Sequence, residues 1–368
     1  MTVSRRSLIA SALAGGAVLA GKRAQAKTPP DQPTGEPPAT GPHHVVVPNG
    51  AVLPSSVKRG VRIFHLRAEQ FDHEIAPGLT IKAWGYNKST PGPLIEATEG
   101  EKVRIYVTND LPEPTTIHWH GVFVPYGMDG VGGLTQPPIP AGKTFKYEFT
   151  FDRAGTFMYH PHVDEMTQIA LGMMGMIVVH PRGGERARVR DYALMAHEMY
   201  VPIGARRADP LAMIDFNVLT FNGKSFPATE SLTAEIGDRV RIRIGNLGPM
   251  DHHPIHLHGH DFWILGQATG IFDLSTSTLN LINPPRRDVA SLPANGYLAI
   301  AFKKDNPGSW LLHCHIAWHA SQGLAMQFVE SEDDIAISLT DTDIFEDTCA
   351  AWNAYTPTEL YLQGDSGI

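Results

Sequence analysis

Alternating apolar and polar positions run along the chain from about Lys58 onward. Val103, Ile105 and Val107 alternate with polar or aromatic neighbours, and a similar run extends from Phe145 to Phe151. Successive residues of a strand point to opposite faces of a sheet, so a period of two places one face on a core. The pattern therefore predicts a protein built mostly of β-strands.

The second half of this pattern repeats the first. The segment GEKVRI at 100–105 leads into IHWHG at 117–121, and GDRVRI at 237–242 leads into IHLHG at 255–259. Two copies of a strand that ends in His-x-His-Gly predict two similar β-sandwich domains. We place them at 56–183 and 184–335, because an RGGE segment between Pro181 and Asp191 interrupts the strands.

Both ends of the chain differ from these domains. Residues 1–26 contain Arg5 and Arg6, a short apolar run and the sequence AQA at 24–26, which together are typical of a twin-arginine export signal. The apolar run is too short to span a bilayer. Proline-rich residues 27–55 predict an extended arm, and residues 336–368 form an acidic tail. We expect an exported bacterial protein, periplasmic or extracellular.

Composition narrows the classes of function. The 368 residues suffice for two domains, and 42% hydrophobic with 18% charged residues indicates a globular protein. The 35 glycines and 29 prolines favour turn-rich β structure. The net charge is −8 without a basic run. We therefore expect neither a nucleic acid nor a membrane as partner.

Clustered histidines are the feature of this sequence that indicates a chemical function. Ten of the 18 histidines fall in four short clusters. Residues i and i+2 of a strand share a face, so each His-x-His pair aims two imidazoles in one direction. By the same geometry Cys314 points away from the histidines beside it, and one strand can serve two metal centres. The clusters are His118 with His120; His160 with His162; His253, His256 and His258; and His313, His315 and His319.

The donor types indicate copper. Two histidines and a cysteine with a weak or absent axial ligand form the blue-copper arrangement, which His253, Cys314 and His319 can supply. The other histidines offer imidazole without thiolate, which suits copper centres that reduce dioxygen. A structural zinc site would use four ligands rather than ten histidines and a cysteine. Cys349 is left without a partner, so no disulfide within the chain is expected.

At these residues the chain resembles the multicopper oxidases. The family has four such motifs, and all are complete here: HWHG at 118–121, HPH at 160–162, HPIHLH at 253–258 and HCHIAWH at 313–319. The likeness covers roughly residues 80 to 330. It is nearest to two-domain, small-laccase-like members, since Pro161 stands where a second blue site would need a cysteine. It implies an all-β protein of two cupredoxin-like Greek-key β-sandwich domains.

The resemblance also implies four copper ions per chain. It gives His253, Cys314 and His319 to the type 1 copper, and His118 and His256 to the type 2 copper. The remaining six histidines of the motifs would bind the type 3 pair: His120, His160, His162, His258, His313 and His315.

The implied activity is laccase-like. Phenols or aromatic amines would give up single electrons, dioxygen would be reduced to water, and His319 would be the exposed point of electron transfer. An oxidase of metal ions such as Cu(I) is an alternative with the same chemistry. A nitrite-reductase-like or an electron-transfer copper protein fits less well, because neither needs six type 3 histidines.

Several residues beyond the ligands have expected roles. Leu324 stands where many family members have an axial methionine, which predicts a type 1 site of moderate to high potential. Asp129 matches an Asp-Gly of the family and is expected to relay protons, with Asp251 and Asp261 as weaker candidates. A group of methionines is expected to be core packing rather than a Cu(I) site: Met158, Met166, Met173, Met174 and Met176.

The two-domain resemblance further implies a homotrimer. The copper cluster of three ions needs four histidines from each domain, so the two domains must face each other. Three-domain relatives achieve this within one chain, and this chain has no middle domain. The first domain of one subunit would therefore meet the second domain of the next, and such a head-to-tail contact must close into a ring.

Overall fold

The computed structural model describes residues 44–184, 189–269 and 284–330. The expected export signal, the proline-rich arm up to residue 43, the tail at 336–368 and Cys349 lie outside these ranges. Strands dominate the described residues, and the helices are short. The prediction of a mostly β protein is confirmed.

The first domain is a sandwich of two sheets. Its strands are β2 (Ser55–Lys58), β3 (Val61–Ala76), β4 (Leu79–Tyr86), β5 (Gly92–Thr98), β6 (Lys102–Asn109), β7 (His118–His120), β8 (Thr144–Thr150), β9 (Gly155–His160) and β10 (Gly175–His180). One sheet has the order β2-β3-β6-β8 with β4 beside β3, and the other has the order β5-β10-β9-β7. Val103, Ile105 and Val107 are fully buried between the sheets, as their alternation predicts.

The second domain is a similar sandwich. Its strands are β11 (Arg190–Met199), β12 (Val218–Phe221), β13 (Leu232–Thr233), β14 (Arg239–Asn246), β15 (His253–Leu257), β16 (Phe262–Thr269), β17 (Arg286–Arg287), β18 (Val289–Leu292), β19 (Gly296–Lys303), β20 (Trp310–Cys314) and β21 (Ala325–Val329). One sheet contains β11, β14, β19, β16 and β17 in order, with β12 beside β11. The other sheet has the order β13-β21-β20-β15-β18.

A short strand before the first domain belongs to the second domain's sheet. Strand β1 (Val45–Val46) pairs in parallel with β11, where Val45 lies opposite Asp191. The described end of the expected arm is therefore held in a sheet. The bounds assigned to the two domains from sequence stay predictions.

Short helical turns lie within or shortly after three of the histidine motifs. They are a 3-10 helix at Tyr126–Met128 and the helices α1 (Glu165–Ala170) and α2 (Ala317–Ser321). Among the described residues, no helix has the length and apolar character needed to cross a membrane.

Methionines pack the contact between the two domains. Met158, Met174 and Met176 of the first domain share a buried cluster with Met195 and Tyr297 of the second. The predicted core role of the methionine group is confirmed for its buried members, and Met173 lies in the first domain's own core. Met166 is the exception, since it is exposed.

A buried ion network crosses the same contact. Asp191 of β11 accepts hydrogen bonds from Arg241 and Arg243 of β14, with Arg241 Nη2 at 2.5 Å from Oδ2 and Arg243 Nη2 at 3.0 Å. Arg243 Nη1 also donates to Thr156 Oγ1 of the first domain, at 2.6 Å. The network thus fixes the orientation of β9 relative to β14.

Candidate metal centres

Strand pairing assembles a first histidine set, which consists of His118, His120, His160 and His162. Strand β7 runs antiparallel to β9, and this pairing places His118 directly opposite His160. The ring of His118 lies 5.3–5.8 Å from the other three rings, centroid to centroid. The His-x-His spacing therefore brings the imidazoles of two motifs to one place, as the period of two predicts.

Hydrogen bonds decide which ring nitrogens of this set remain available. His118 Nδ1 lies 2.8 Å from the carbonyl of Asp129, and His160 Nδ1 lies 2.9 Å from the carbonyl of Pro161. Both rings thus donate at Nδ1 and offer Nε2 to a metal. His160 Nε2 is 3.4 Å from Nδ1 of His120. Burial lowers the pKa of His160 to about 3, so its imidazole is neutral, as a metal ligand must be.

The second histidine set repeats this construction with His256, His258, His313 and His315. Strand β15 pairs antiparallel with β20, and His256 lies opposite His313. His258 Nε2 is 3.0 Å from His313 Nε2. The Nδ1 atoms of His256 and His313 face the carbonyls of Asp288 and Cys314, at 2.7 and 2.8 Å. Their Nε2 atoms are again the ones available.

The two histidine sets remain separate within the chain. In the described ranges, no close group of three ligand atoms combines the two sets: one group consists of His118, His120 and His160, and another of His256, His258 and His313. Both sets reach the surface. His258 and His315 are exposed, and the side chain of His162 is 37% exposed. Each set is therefore accessible from outside the chain.

A third group, the cysteine site, lies on the opposite face of β20. It consists of His253, Cys314 and His319, all buried. The Nδ1 atoms of the two histidines are 3.1 Å apart, and they lie 3.9 and 3.5 Å from the Cys314 sulfur. The predicted separation of the thiol from its neighbouring imidazoles is confirmed. Burial raises the pKa of the Cys314 thiol to about 11, so a bound metal must displace its proton.

Leu324 closes the cysteine site from the protein interior. It is fully buried in the same apolar cluster as Cys314. Its carbonyl accepts the Cys314 amide at 3.0 Å, and its own amide donates to the His319 carbonyl at 3.1 Å. A residue whose side chain has no donor atom is therefore joined through its backbone to both Cys314 and His319.

His319 is less accessible than expected. Its side chain is 9% exposed, because Nε2 faces the carboxylate of Asp251 at 3.4 Å rather than solvent. Trp318 beside it is 50% exposed. The expectation of an exposed His319 is wrong, because the Asp251 carboxylate faces its Nε2.

Three acidic side chains near the histidine motifs differ in what they contact. Asp129 Oδ1 lies 3.4 Å from His118 Nδ1, at the first histidine set. Asp261 instead forms an exposed ion pair with Arg286, at 2.5 Å. Glu165, which the sequence did not single out for this role, lies 3.2 Å from His160 Nδ1. The available signal was its place in the sequence, because it follows the HPH motif after only two residues, Val163 and Asp164.

Glu198 is the functional candidate that sequence reasoning missed. Its side chain is fully buried, and Oε2 lies 3.5 Å from His253 Nε2. Burial raises the pKa of Glu198 to about 7. An acid within the buried run of β11 was the only hint in the sequence, and its partner lies 55 residues further along the chain.

Comparison with known proteins identifies the family. The sequence profiles of multicopper oxidase domains match residues 68–184 and 202–334. Oxidoreductase OpS5 of Beauveria bassiana is 52% identical in an alignment that covers 77% of this chain and 84% of that protein. The solved blue copper oxidase of Nitrosomonas europaea has a TM-score of 0.65 and 29% identity, over 75% of this chain and 88% of that one. This chain belongs to the multicopper oxidases.

A more similar relative matches over a shorter stretch. Laccase-2 of Botryotinia fuckeliana is 74% identical over 118 residues, which are 32% of this chain and 20% of that protein. The chain thus spans about a fifth of that relative's length. Both curated relatives are fungal proteins, so they lend no support to a bacterial source.

The donor sets fit the copper that the family implies. The cysteine site offers two imidazole nitrogens and one sulfur within 3.9 Å of one another, which is the blue-copper donor set. The two histidine sets offer imidazole alone. The fold is accordingly the cupredoxin-like β-sandwich of this family, present twice.

Proposed function

We propose that this chain is a laccase-like oxidase, which couples the one-electron oxidation of phenols or aromatic amines to the four-electron reduction of dioxygen to water. The observation that supports the proposal is that adjacent residues at the end of β20 belong to two different kinds of ligand set. Cys314 joins the buried site of mixed nitrogen and sulfur donors, while His313 and His315 belong to an imidazole-only set.

The assignment of residues to copper follows the family motifs. His253, Cys314 and His319 would hold the type 1 copper, and His118 and His256 the type 2 copper. The other six motif histidines would hold the type 3 pair. Bound copper would supply the redox chemistry, accepting single electrons and delivering them to dioxygen.

The protein's own contribution is positioning. Cys314 and the two histidines beside it are covalent neighbours, so the backbone joins the two kinds of site by the shortest possible route. The Asp251 carboxylate faces His319, and the exposed Trp318 precedes His319 in the chain, so a small aromatic reductant can approach here. Burial of the cysteine site excludes water from the thiol.

We test the substrate class with an oxygen electrode. Copper-loaded protein is mixed in turn with a phenol, an aromatic amine and Cu(I), and oxygen consumption is recorded. Phenols and amines should drive consumption, and Cys314→Ser should abolish it while the histidine sets still bind copper. Consumption with Cu(I) but not with phenols or amines would favour the metal-ion oxidase. The features that support this alternative are the half-exposed Asp251 carboxylate and the exposed thioether of Met250.

Asp129 is proposed to deliver the protons that dioxygen reduction consumes. It lies 3.4 Å from His118 Nδ1 with its side chain 34% exposed, so it connects the first histidine set with solvent. Asp129→Asn keeps the size of the side chain and removes the acid. Turnover should fall while the visible copper band stays intact. The exposed acid Asp261 provides the matched control, and equal turnover in both variants would contradict the role.

A homotrimer is proposed as the working unit. The two histidine sets stay apart within the chain, and both are open to the surface. A complete site for the type 2 and type 3 copper needs both sets, so it requires a second copy. A head-to-tail contact between first and second domains would join them and close into a ring.

Export is proposed from residues 1–26. The paired arginines, the apolar run and the AQA sequence support passage to the periplasm or beyond in a bacterium. N-terminal sequencing of protein recovered from the cell exterior should begin at Lys27.

A further inference from the structure

Glu198 is a buried acid that the oxidase chemistry has not used. It lies near the end of β11, and its side chain has no exposed surface. Taking a carboxyl group out of water is unfavourable unless hydrogen bonds compensate for the lost solvation. The surroundings of Glu198 therefore indicate what the side chain holds.

One carboxylate oxygen holds the loop that leads into the cysteine site. Oε1 accepts the backbone amides of Met250 at 3.1 Å and Asp251 at 3.0 Å. The other oxygen, Oε2, lies 3.5 Å from His253 Nε2. Both of these atoms are buried, and neither makes a hydrogen bond within the described residues. Their separation of 3.5 Å is that of an ion-pair contact, so the carboxylate faces the ring nitrogen.

The loop is shaped to admit this carboxylate. A Cβ atom at Gly248 would lie 2.7 Å from Glu198 Oε1, so a side chain there would displace the acid. Asn246 closes the loop, since its Oδ1 accepts the Gly248 amide and its Nδ2 donates to the Asp251 carbonyl. The held loop carries Asp251, whose carboxylate faces His319 Nε2 at 3.4 Å.

We propose that Glu198 is the positioning residue of the cysteine site, orienting His253 directly and His319 through the loop that carries Asp251. The inference rests on the proposed function, in which this site holds the type 1 copper. A carboxylate behind a ligating imidazole fixes its ring orientation and raises its basicity. A more basic imidazole stabilises Cu(II), so Glu198 lowers the reduction potential of the site.

The test compares Glu198→Gln with a matched control in the same strand. Glutamine has the same size but a single acceptor oxygen, so it cannot accept both from the loop amides and from His253. Asp191→Asn removes the other buried acid of β11, which does not contact the cysteine site. Copper-loaded proteins are compared by visible spectrum and by redox titration against a one-electron mediator.

Glu198→Gln should change the blue band and shift the mediator equilibrium at least tenfold toward reduced copper, which corresponds to about 59 mV for a one-electron couple. Asp191→Asn should lose thermal stability but keep the band and the potential of the wild type. A wild-type band and potential in Glu198→Gln would overturn the proposal.

A second variant covers the case in which Glu198→Gln does not fold. Gly248→Ala keeps the acid and displaces it, so its band and potential should shift in the same direction. An unshifted Gly248→Ala protein with normal copper content would overturn the proposal as well. A wild-type protein without any blue band would instead refute the type 1 assignment.

Discussion

Each imidazole of the cysteine site has an acidic side chain at its second nitrogen. Glu198 faces His253, and Asp251 faces His319. The thiol of Cys314 has no such partner, and the neighbouring side chain is the apolar Leu324. The site thus combines nitrogen donors that face acidic side chains with a buried apolar residue, Leu324, that offers no donor.

Leu324→Met tests the axial position. Methionine has about the same volume, so the exchange should cost less than about 1.5 kcal/mol of stability. A thioether near the copper stabilises Cu(II), so the type 1 potential should fall and phenols of high potential should be oxidised more slowly. Redox titration measures the change. Leu324→Ile, which adds no donor, should keep the wild-type potential, and an unchanged potential in Leu324→Met would place the axial residue elsewhere.

Strand pairing explains which parts of the sites could be predicted from sequence. The motifs on β7, β15 and β20 have a local period of two, which fixes the common face of their histidines without knowledge of the fold. Glu198 and Asp191 lie in a strand whose residues are nearly all buried, so no alternation marks them. Their partners on β14 and β15 become neighbours only when the sheets form. Contacts of this kind are not encoded in local patterns.

The exposure of His319 was also predicted wrongly from the sequence. Its motif predicts the ligand but not the carboxylate in front of it, which depends on the loop around Glu198. The place of β1 was likewise not predictable, since a two-residue strand carries no period of its own.

Asp191→Asn tests the ion network between β11 and β14. Removing one partner of a buried ion pair costs about 3–5 kcal/mol, because Arg241 and Arg243 lose their shared carboxylate. Urea unfolding at neutral pH should show a loss of this size. A loss below about 1 kcal/mol would contradict the role of the network.

The stability difference between wild type and Asp191→Asn should also depend on pH. Burial alone would raise the pKa of Asp191, but Arg243 and Arg241 outweigh it and lower the pKa. The contribution of Asp191 is therefore complete above the pKa of an unfolded aspartate, about 3.9. It is lost as the pH falls through the lower folded-state pKa. The stability difference between wild type and Asp191→Asn should shrink in this acidic range.

For the whole molecule, the central feature is that each chain carries two open histidine sets. In the described part of the chain no close ligand group combines them. In the proposed ring, each chain would present two halves of different sites, and assembly would decide whether dioxygen can be reduced.

Co-expression of two inactive variants tests this arrangement. His118→Ala removes a ligand of the first histidine set, and His256→Ala removes one of the second. If sites form between subunits, a mixed ring contains some sites with both histidines intact, and oxidase activity should partly return. Mixing the variants after separate folding is the control. No recovery on co-expression, or full activity in a monomer by light scattering, would contradict the ring.

The most direct test of the oxidase itself is the stoichiometry of dioxygen consumption. Copper-loaded protein is given a phenol that loses one electron, and the oxidised phenol, dioxygen and hydrogen peroxide are measured together. We predict four phenols oxidised for each dioxygen consumed and no peroxide released, since in the proposed function the histidine sets together hold the copper that completes the reduction to water. Two phenols per dioxygen with release of peroxide, or no dioxygen consumption by fully copper-loaded protein, would contradict the account.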